Sequence, residues 1–75
     1  MLYYIYMDTK TQQQLGNKIK NAREKANLTQ EEVAKKTGIT TTYVAMIERG
    51  EANLAYDKIR KIFNLLKMKS SELPL

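Results

Sequence analysis

The 75-residue chain contains neither cysteine nor histidine. Without cysteine it has no disulfide and no thiolate zinc site, and without histidine it lacks the usual metal ligand and general base of neutral pH. Its three glycines, Gly16, Gly38 and Gly50, are spaced too widely for a phosphate-cradling loop such as GxGxxG. The sequence therefore predicts no enzyme activity, no metal site and no cofactor.

Long hydrophobic runs are absent as well. No run approaches the roughly 18 apolar residues that span a bilayer. The opening MLYYIYM has no basic start and no cleavage site of small residues, so it is not predicted to be a signal peptide. We expect a cytoplasmic protein that binds neither a membrane nor a small-molecule ligand.

The chain does have a moderate excess of positive charge. It contains 13 Lys and Arg against 8 Asp and Glu, which gives a net charge of +5, and 43% of its residues are hydrophobic. This composition is typical of one small globular domain with a thin core. The basic balance is compatible with a nucleic acid or an anionic surface as partner, and equally with a charge that serves solubility alone.

The chain divides into an N-terminal extension, residues 1–10, and a helical domain, residues 11–75. The aromatic and β-branched residues of MLYYIYM predict a strand. Three arrangements remain open for that strand: packing on the domain, pairing across an oligomer, or a loose end. A true start of the protein at Met7 is a further interpretation.

Apolar residues at helical spacing predict about five short helices in the rest of the chain. A capping box formed by Thr29 and Glu32 opens the second helix, and Gly38 ends it. The other predicted bounds are about 11–26, from 40 or 41 to 49, about 55–67, and a last turn after a serine in MKSSELPL. The fold class is therefore a compact all-α bundle.

The third helix has an unusual outward side. With about 100° between successive residues, Val44, Ile47 and Glu48 share the buried arc. The opposite arc lacks carboxylates, which would repel phosphate, and it consists of Thr42, Ala45, Met46 and Arg49, with Thr41 and Tyr43 on its flanks. Threonine hydroxyls can bond to base edges, and small apolar groups can contact a thymine methyl. This predicts a recognition helix for the DNA major groove, although a solvated, threonine-rich cap is the alternative.

The stretch from Leu28 to Leu73 resembles the helix-turn-helix domain of the Cro and phage-repressor class. The signature TQEEVA…G…TYVAMIERG is specific, and the resemblance covers about residues 13–73. It implies a lambda-repressor-like DNA-binding fold. The run TYVAMIERGEAN also resembles the controller proteins of restriction–modification systems, which are small homodimeric regulators.

The resemblance also implies roles for the matching residues. Five would contact phosphate: Thr29, Gln30, Thr40, Arg49 and Asn53. Five would face the bases: Thr41, Thr42, Tyr43, Ala45 and Met46. Arg23 and Glu48 match the family's ion pair between the first and third helices, which would position the recognition helix.

Three features depart from the family pattern. Lys67 stands where the family usually has glycine after the fourth helix. Ala55 replaces the usual hydroxyl cap of that helix, which leaves Asn53 as a substitute cap. The outward arc of the third helix has no arginine or glutamine for bidentate base recognition, so the operator sequence is poorly constrained.

Two functions remain in view. The leading one is a sequence-specific transcriptional regulator that binds double-stranded DNA as a homodimer, with two recognition helices about 34 Å apart on a palindromic operator. The alternative is a protein-binding module, such as an antitoxin or adaptor, that grips a partner protein. Candidate dimer or partner contacts are apolar residues near the C-terminus, unless these only complete a thin core: Leu65, Met68, Leu73 and Leu75.

Overall fold

The computed structural model describes residues 6–53 and 55–74 of the chain. These residues form four α-helices, α1 (Thr9–Lys25), α2 (Gln30–Thr37), α3 (Thr41–Glu48) and α4 (Tyr56–Leu66), followed by a 3-10 turn at Ser70–Glu72. The predicted all-helical fold is confirmed in this part of the chain. None of its helices is long and apolar enough to cross a membrane.

The C-terminal segment makes a last turn, as predicted. It is a 3-10 turn and not a fifth α-helix. Leu73, which follows this turn, is extended, with φ −69° and ψ 118°. The residue before a proline is disfavoured in the α region, so Pro74 prevents the turn from growing into a helix. The residue at the N-cap is Lys69 and not a serine.

The start of α1 lies two residues earlier than predicted. Asp8 caps the helix, since its Oδ1 accepts a hydrogen bond of 2.8 Å from the N–H of Thr11. Asp is among the preferred N-cap residues. Met7 is buried in the core at 4% exposure, so the last residues of the predicted extension belong to the folded domain. Neither Tyr6 nor Met7 lies in a strand, and residues 1–5 lie outside the described residues.

The turn between α2 and α3 follows the sequence pattern closely. Thr29 Oγ1 accepts from the N–H of Glu32 at 3.1 Å, and the Glu32 carboxylate accepts from the N–H of Thr29 at 2.9 Å. Gly38 ends α2 with φ 73°, a left-handed conformation that glycine adopts without strain. Thr40 then caps α3 by accepting from the N–H of Tyr43 at 3.1 Å. The predicted capping box and the glycine stop are both confirmed.

The core lies where α1 and α4 pack against the α2–α3 pair. It consists of buried apolar side chains from every helix: Met7, Leu15, Ile19, Val33, Ala34, Ile39, Val44, Ile47, Ile59, Ile62, Phe63 and Leu66. A tight contact between α1 and α3 fixes the position of α3. A Cβ on Gly16 would lie 2.7 Å from the carbonyl oxygen of Glu48, and closer still to that of Ile47.

Both ends of α4 depart from the family pattern, as the sequence predicted. Ala55 sits at the N-cap without a side-chain cap bond. Asn53 does not replace the missing cap, because its Oδ1 accepts from the N–H of Met7 at 2.9 Å. At the other end Lys67 adopts φ 56° and ψ 37°, so the helix keeps a left-handed stop with a residue that carries a Cβ.

Candidate nucleic-acid interface

The two sides of α3 have the predicted exposures. Val44, Ile47 and Glu48 are buried at 1%, 2% and 7% exposure. On the opposite side, Thr42 is exposed and Met46 is half-buried. The remaining predicted contacts on this helix are Thr41 and Arg49, which are exposed, and Ala45, which is half-buried. The outward side of α3 is therefore exposed to half-buried, and no residue of the helix itself places a carboxylate on it.

Tyr43 makes different contacts from its neighbours on α3. Its hydroxyl donates to the carbonyl oxygen of Asn53 at 2.9 Å, and the Nζ of Lys58 lies 4.9 Å from the centre of its ring. The half-buried ring also packs against the core. Tyr43 therefore ties α3 to the segment that follows it, and this contact places Lys58 on the flank of α3.

The ion pair between Arg23 and Glu48 is present and nearly desolvated. Arg23 Nε donates to Glu48 Oε2 at 2.7 Å, and Arg23 Nη2 donates to Glu48 Oε1 at 3.1 Å. The two side chains are 13% and 3% exposed. The hydrogen bonds to Glu48 raise the pKa of Arg23. Arg23 also donates to the carbonyl oxygen of Leu28 at 2.8 Å, so the pair fixes the start of α2 as well as α3.

Gln30 belongs to the same network. Its Nε2 donates to Glu48 Oε1 at 3.1 Å, although the two residues are 18 positions apart. Gln30 is the first residue of α2 and is half-buried. The structure thus brings one predicted phosphate contact onto the predicted ion pair.

The other predicted phosphate contacts lie in three separate environments. Thr29 and Thr40 are the N-caps of α2 and α3, where the hydroxyl oxygen accepts the capping bond and the hydroxyl proton remains to be donated. Arg49 pairs with Glu51 at 3.1 Å on the surface, an exposed contact of little energetic weight. Asn53 supports Met7 through its side chain.

The helix-turn-helix geometry has a close counterpart in a known family. The model of the family described as helix-turn-helix, HTH_3, matches residues 19–73, which is more than half of the chain. The chain belongs to the helix-turn-helix family, of the Cro/C1 type.

Individual relatives agree with this assignment. An HTH-type transcriptional regulator of Archaeoglobus fulgidus is 43% identical over 54 residues, covering 67% of this chain and 75% of the relative. Control protein C.BamHI of Bacillus amyloliquefaciens is 36% identical over 59 residues, covering 77% of this chain and 73% of the relative. The crystal structure of the restriction-modification controller protein C.AhdI from Aeromonas hydrophila aligns with a TM-score of 0.79 at 28% identity, over 85% of this chain and 97% of that chain.

These matches confirm the predicted resemblance and the predicted class, a DNA-binding transcriptional regulator of the helix-turn-helix type. They also confirm that controller proteins of restriction–modification systems are among the homologues.

An open notch separates the N-terminal ends of α2 and α3 in this helix-turn-helix unit. Its volume is about 440 Å³, and it is lined by Arg23, Leu28, Thr29, Gln30, Glu31 and Thr41. Its lining includes the N-cap and first residues of α2 and the first residue of α3, and helix N-termini favour an anion. Gln30 and Thr41 add side-chain donors of their own, whereas the Arg23 guanidinium already donates to Glu48 and to the Leu28 carbonyl oxygen. The notch is therefore suited to a phosphate group.

Two carboxylates, Glu31 and Glu32, lie near the start of α2 and have different surroundings. Glu32 turns back to its cap, and the hydrogen bond from the Thr29 N–H lowers its pKa. Glu31 is exposed and lies on the wall of the notch. A negative charge there opposes binding of an anion, so Glu31 weakens the site that its neighbours form.

Neither Gly16 nor Lys58 has a role predicted from the sequence. A lone glycine inside a helix costs about 1 kcal/mol relative to alanine and usually has a packing reason; this was the signal for Gly16, which sits against α3. No motif marks Lys58, whose place beside α3 depends on the tertiary contact with Tyr43.

Two of the C-terminal apolar residues, Met68 and Leu73, line a separate and smaller groove. Leu65, Met68 and Leu73 are half-buried and pack against the core, whereas Leu75 lies outside the described residues. A groove of about 240 Å³ runs along α4, with Tyr56, Ile59, Phe63, Met68 and Leu73 among its lining residues. Tyr56 is 50% exposed. Within residues 6–53 and 55–74 no three carboxylates gather to hold a metal ion.

Proposed function

We propose that this chain regulates transcription by binding a palindromic DNA operator as a homodimer, with the outward side of α3 in the major groove. The observation that carries the proposal is the outward side of α3, where the exposed and half-buried side chains of the helix include no carboxylate. On a solvated helix such a side would normally carry lysine and glutamate. The phosphates that border a DNA major groove would not repel this side of α3.

Base recognition in this proposal depends on short side chains. Thr41 and Thr42 can donate to or accept from base edges, and Ala45 and Met46 present apolar groups suited to thymine methyls. Arginine and glutamine, which make bidentate contacts to guanine and adenine, are missing from this side of α3. The operator is therefore expected to be read through thymine methyls and DNA shape.

Phosphate contacts in this proposal lie at the notch and beside α3. Gln30, Thr29 and Thr40 occupy the helix N-termini. We assign Tyr43 a supporting role, because its hydroxyl is bonded to the Asn53 carbonyl. The ammonium group of Lys58 is then a phosphate contact on the flank of α3.

The proposed homodimer follows from the size of the module. A single domain covers too little duplex for tight, specific binding, and a twofold dimer would engage two half-sites one helical turn apart. The groove along α4, with its exposed Tyr56, is the proposed contact between copies. The same groove supports the alternative of a partner protein, which light scattering of the purified chain would separate from a homodimer.

The experiment begins with selection of bound duplexes from a random pool, followed by fluorescence anisotropy with the selected and a scrambled duplex. Thr42→Ala and Met46→Ala should each lower the ratio of specific to non-specific affinity several-fold, which is less than the roughly fivefold to hundredfold discrimination of a bidentate pair. Gln30→Ala should weaken both duplexes about equally. Asn21→Ala is the matched control, since Asn21 is exposed and faces the groove between α1 and the end of α4.

Replacement of thymine by uracil in the selected duplex tests base reading directly. Each substitution removes one methyl group, so it should weaken wild-type binding at contacted positions and have less effect on Met46→Ala. A selection that yields no preferred sequence, or affinity that does not change with salt, would contradict the proposed function.

A further inference from the structure

We infer that Glu48 is a positioning residue for DNA: its buried carboxylate holds the Gln30 side-chain amide in the orientation that binds a phosphate in the notch. This inference rests on the proposed function and adds to it, because Glu48 itself would touch no DNA. The observation that supports the inference is the hydrogen bond that Gln30 Nε2 donates to Glu48 Oε1 at 3.1 Å.

The carboxylate of Glu48 is the meeting point of three segments. It accepts two hydrogen bonds from Arg23 of α1 and one from Gln30 of α2, and it is itself part of α3. Its side chain is only 3% exposed, so water does not compete for these bonds. Arg23 is anchored further by its bond to the Leu28 carbonyl. The donors around Glu48 are therefore fixed by several elements at once.

This arrangement decides which end of the Gln30 amide faces inward. A carboxylate accepts hydrogen bonds and does not donate them, so it attracts the NH₂ group of Gln30 and repels its carbonyl oxygen. The NH₂ group has two protons, of which Glu48 takes one. The second proton remains available to a phosphate oxygen in the notch, which Gln30 lines.

Ordering before binding matters for glutamine in particular. Its long side chain loses considerable rotamer freedom when it is immobilised, and a side chain ordered in the free protein avoids that cost when DNA arrives. Arg23 is essential to the arrangement, because an unpaired carboxylate this close to the notch would repel phosphate. Its bidentate bonds neutralise the charge of Glu48.

A double-mutant cycle tests the inference. The background variant replaces both charged residues, Arg23→Met with Glu48→Met, because apolar residues of similar volume often substitute for a buried pair without loss of stability. Gln30→Ala is then introduced into the wild type and into this background. We expect the substitution to lower affinity for duplex DNA about tenfold in the wild type and less than about twofold in the background.

A second measurement uses the wild-type protein alone, so it does not depend on folding of the variants. Nitrogen-15 relaxation of side-chain NH₂ groups should show Gln30 restrained in the absence of DNA, with the exposed Gln14 as a mobile control. Equal mobility of the two side chains would overturn the inference.

The outcomes separate this inference from the proposed function. If the wild type binds no duplex, the proposed function fails. If it binds and Gln30→Ala costs the same in both backgrounds, only the positioning role of Glu48 fails.

Discussion

Replacement of Gly16 by alanine is expected to destabilise the fold. Gly16 lies in the middle of α1, where α1 crosses the last turn of α3. Alanine adds one methyl group and leaves the helical backbone unchanged. In most helix interiors this change is stabilising, because glycine is worse than alanine by about 1 kcal/mol. The close approach of α3 reverses the expected sign.

The magnitude follows from the distances. The added Cβ would lie 2.7 Å from the carbonyl oxygen of Glu48, whereas ordinary contact begins at 3.4 Å. Relieving this contact alone needs a separation of α1 and α3 by about 0.7 Å, and the closer carbonyl oxygen of Ile47 needs more. The obstructing atoms are backbone carbonyls of Ile47 and Glu48, which cannot rotate away. Overpacking of this kind costs about 1–3 kcal/mol. Because the obstructing atoms are backbone, we expect a cost in the upper part of this range, about 2–3 kcal/mol. The gain in helix propensity offsets about 1 kcal/mol of it, which leaves a net loss of about 1–2 kcal/mol.

Thermal unfolding followed by circular dichroism measures this loss. For a domain of this size, 1 kcal/mol corresponds to about 4–8 °C in Tm. Gly38→Ala is the matched control. A Cβ added at Gly38 would have no neighbour within 4 Å, but the residue has a φ of +73°, so this variant is expected to lose stability through backbone conformation alone. Asparagine tolerates that conformation, and Gly38→Asn should recover part of the loss. A Gly16→Ala protein as stable as the wild type would refute the close packing of α1 on α3.

Three further outcomes are expected. Lys67→Gly should raise the free energy of unfolding by about 0.5–1 kcal/mol, because it removes the cost of about 1–2 kcal/mol of a left-handed backbone at a residue with a Cβ. Greater flexibility of the unfolded chain offsets part of this gain. An unchanged midpoint of urea unfolding would contradict this prediction. The hydrogen bond from the Thr29 N–H holds the pKa of Glu32 below its ordinary 4.5. The ionised Glu32 carboxylate therefore stabilises the fold fully above pH 4.5, and this contribution is lost as the pH falls through the lower pKa of the folded state. Glu32→Gln cannot titrate, and its stability should fall less steeply with acid than that of the wild type; parallel curves would argue against the capping box as the cause. Glu31→Gln should strengthen duplex binding about two- to fivefold at low salt, and weaker binding in anisotropy would show that no phosphate occupies the notch.

The local features of this fold could be read from neighbouring residues. The Thr29–Glu32 capping box and the stop at Gly38 depend on contacts within a few positions, and both were predicted. The buried arc of α3 followed from helical periodicity alone, because Val44, Ile47 and Glu48 must share one side.

The features that the sequence did not reveal depend on contacts between distant residues. Nothing near Gln30 indicates that its amide would reach Glu48, and the position of Tyr43 on α3 does not show that its hydroxyl donates to the Asn53 carbonyl oxygen. Helix ends are also uncertain where a cap lies in an apolar context, as Asp8 does after Met7. Side-chain networks and close backbone approaches are decided by tertiary packing.

The most direct test of the recognition surface is amide chemical-shift mapping with a duplex. Backbone signals of the nitrogen-15-labelled protein would be followed as the selected duplex is added. We predict that Thr42 and Met46 shift together with Gln30, while residues at the groove along α4, such as Phe63, change little. Shifts confined to α4 and the C-terminal segment, with the amides of α3 unperturbed, would contradict the account.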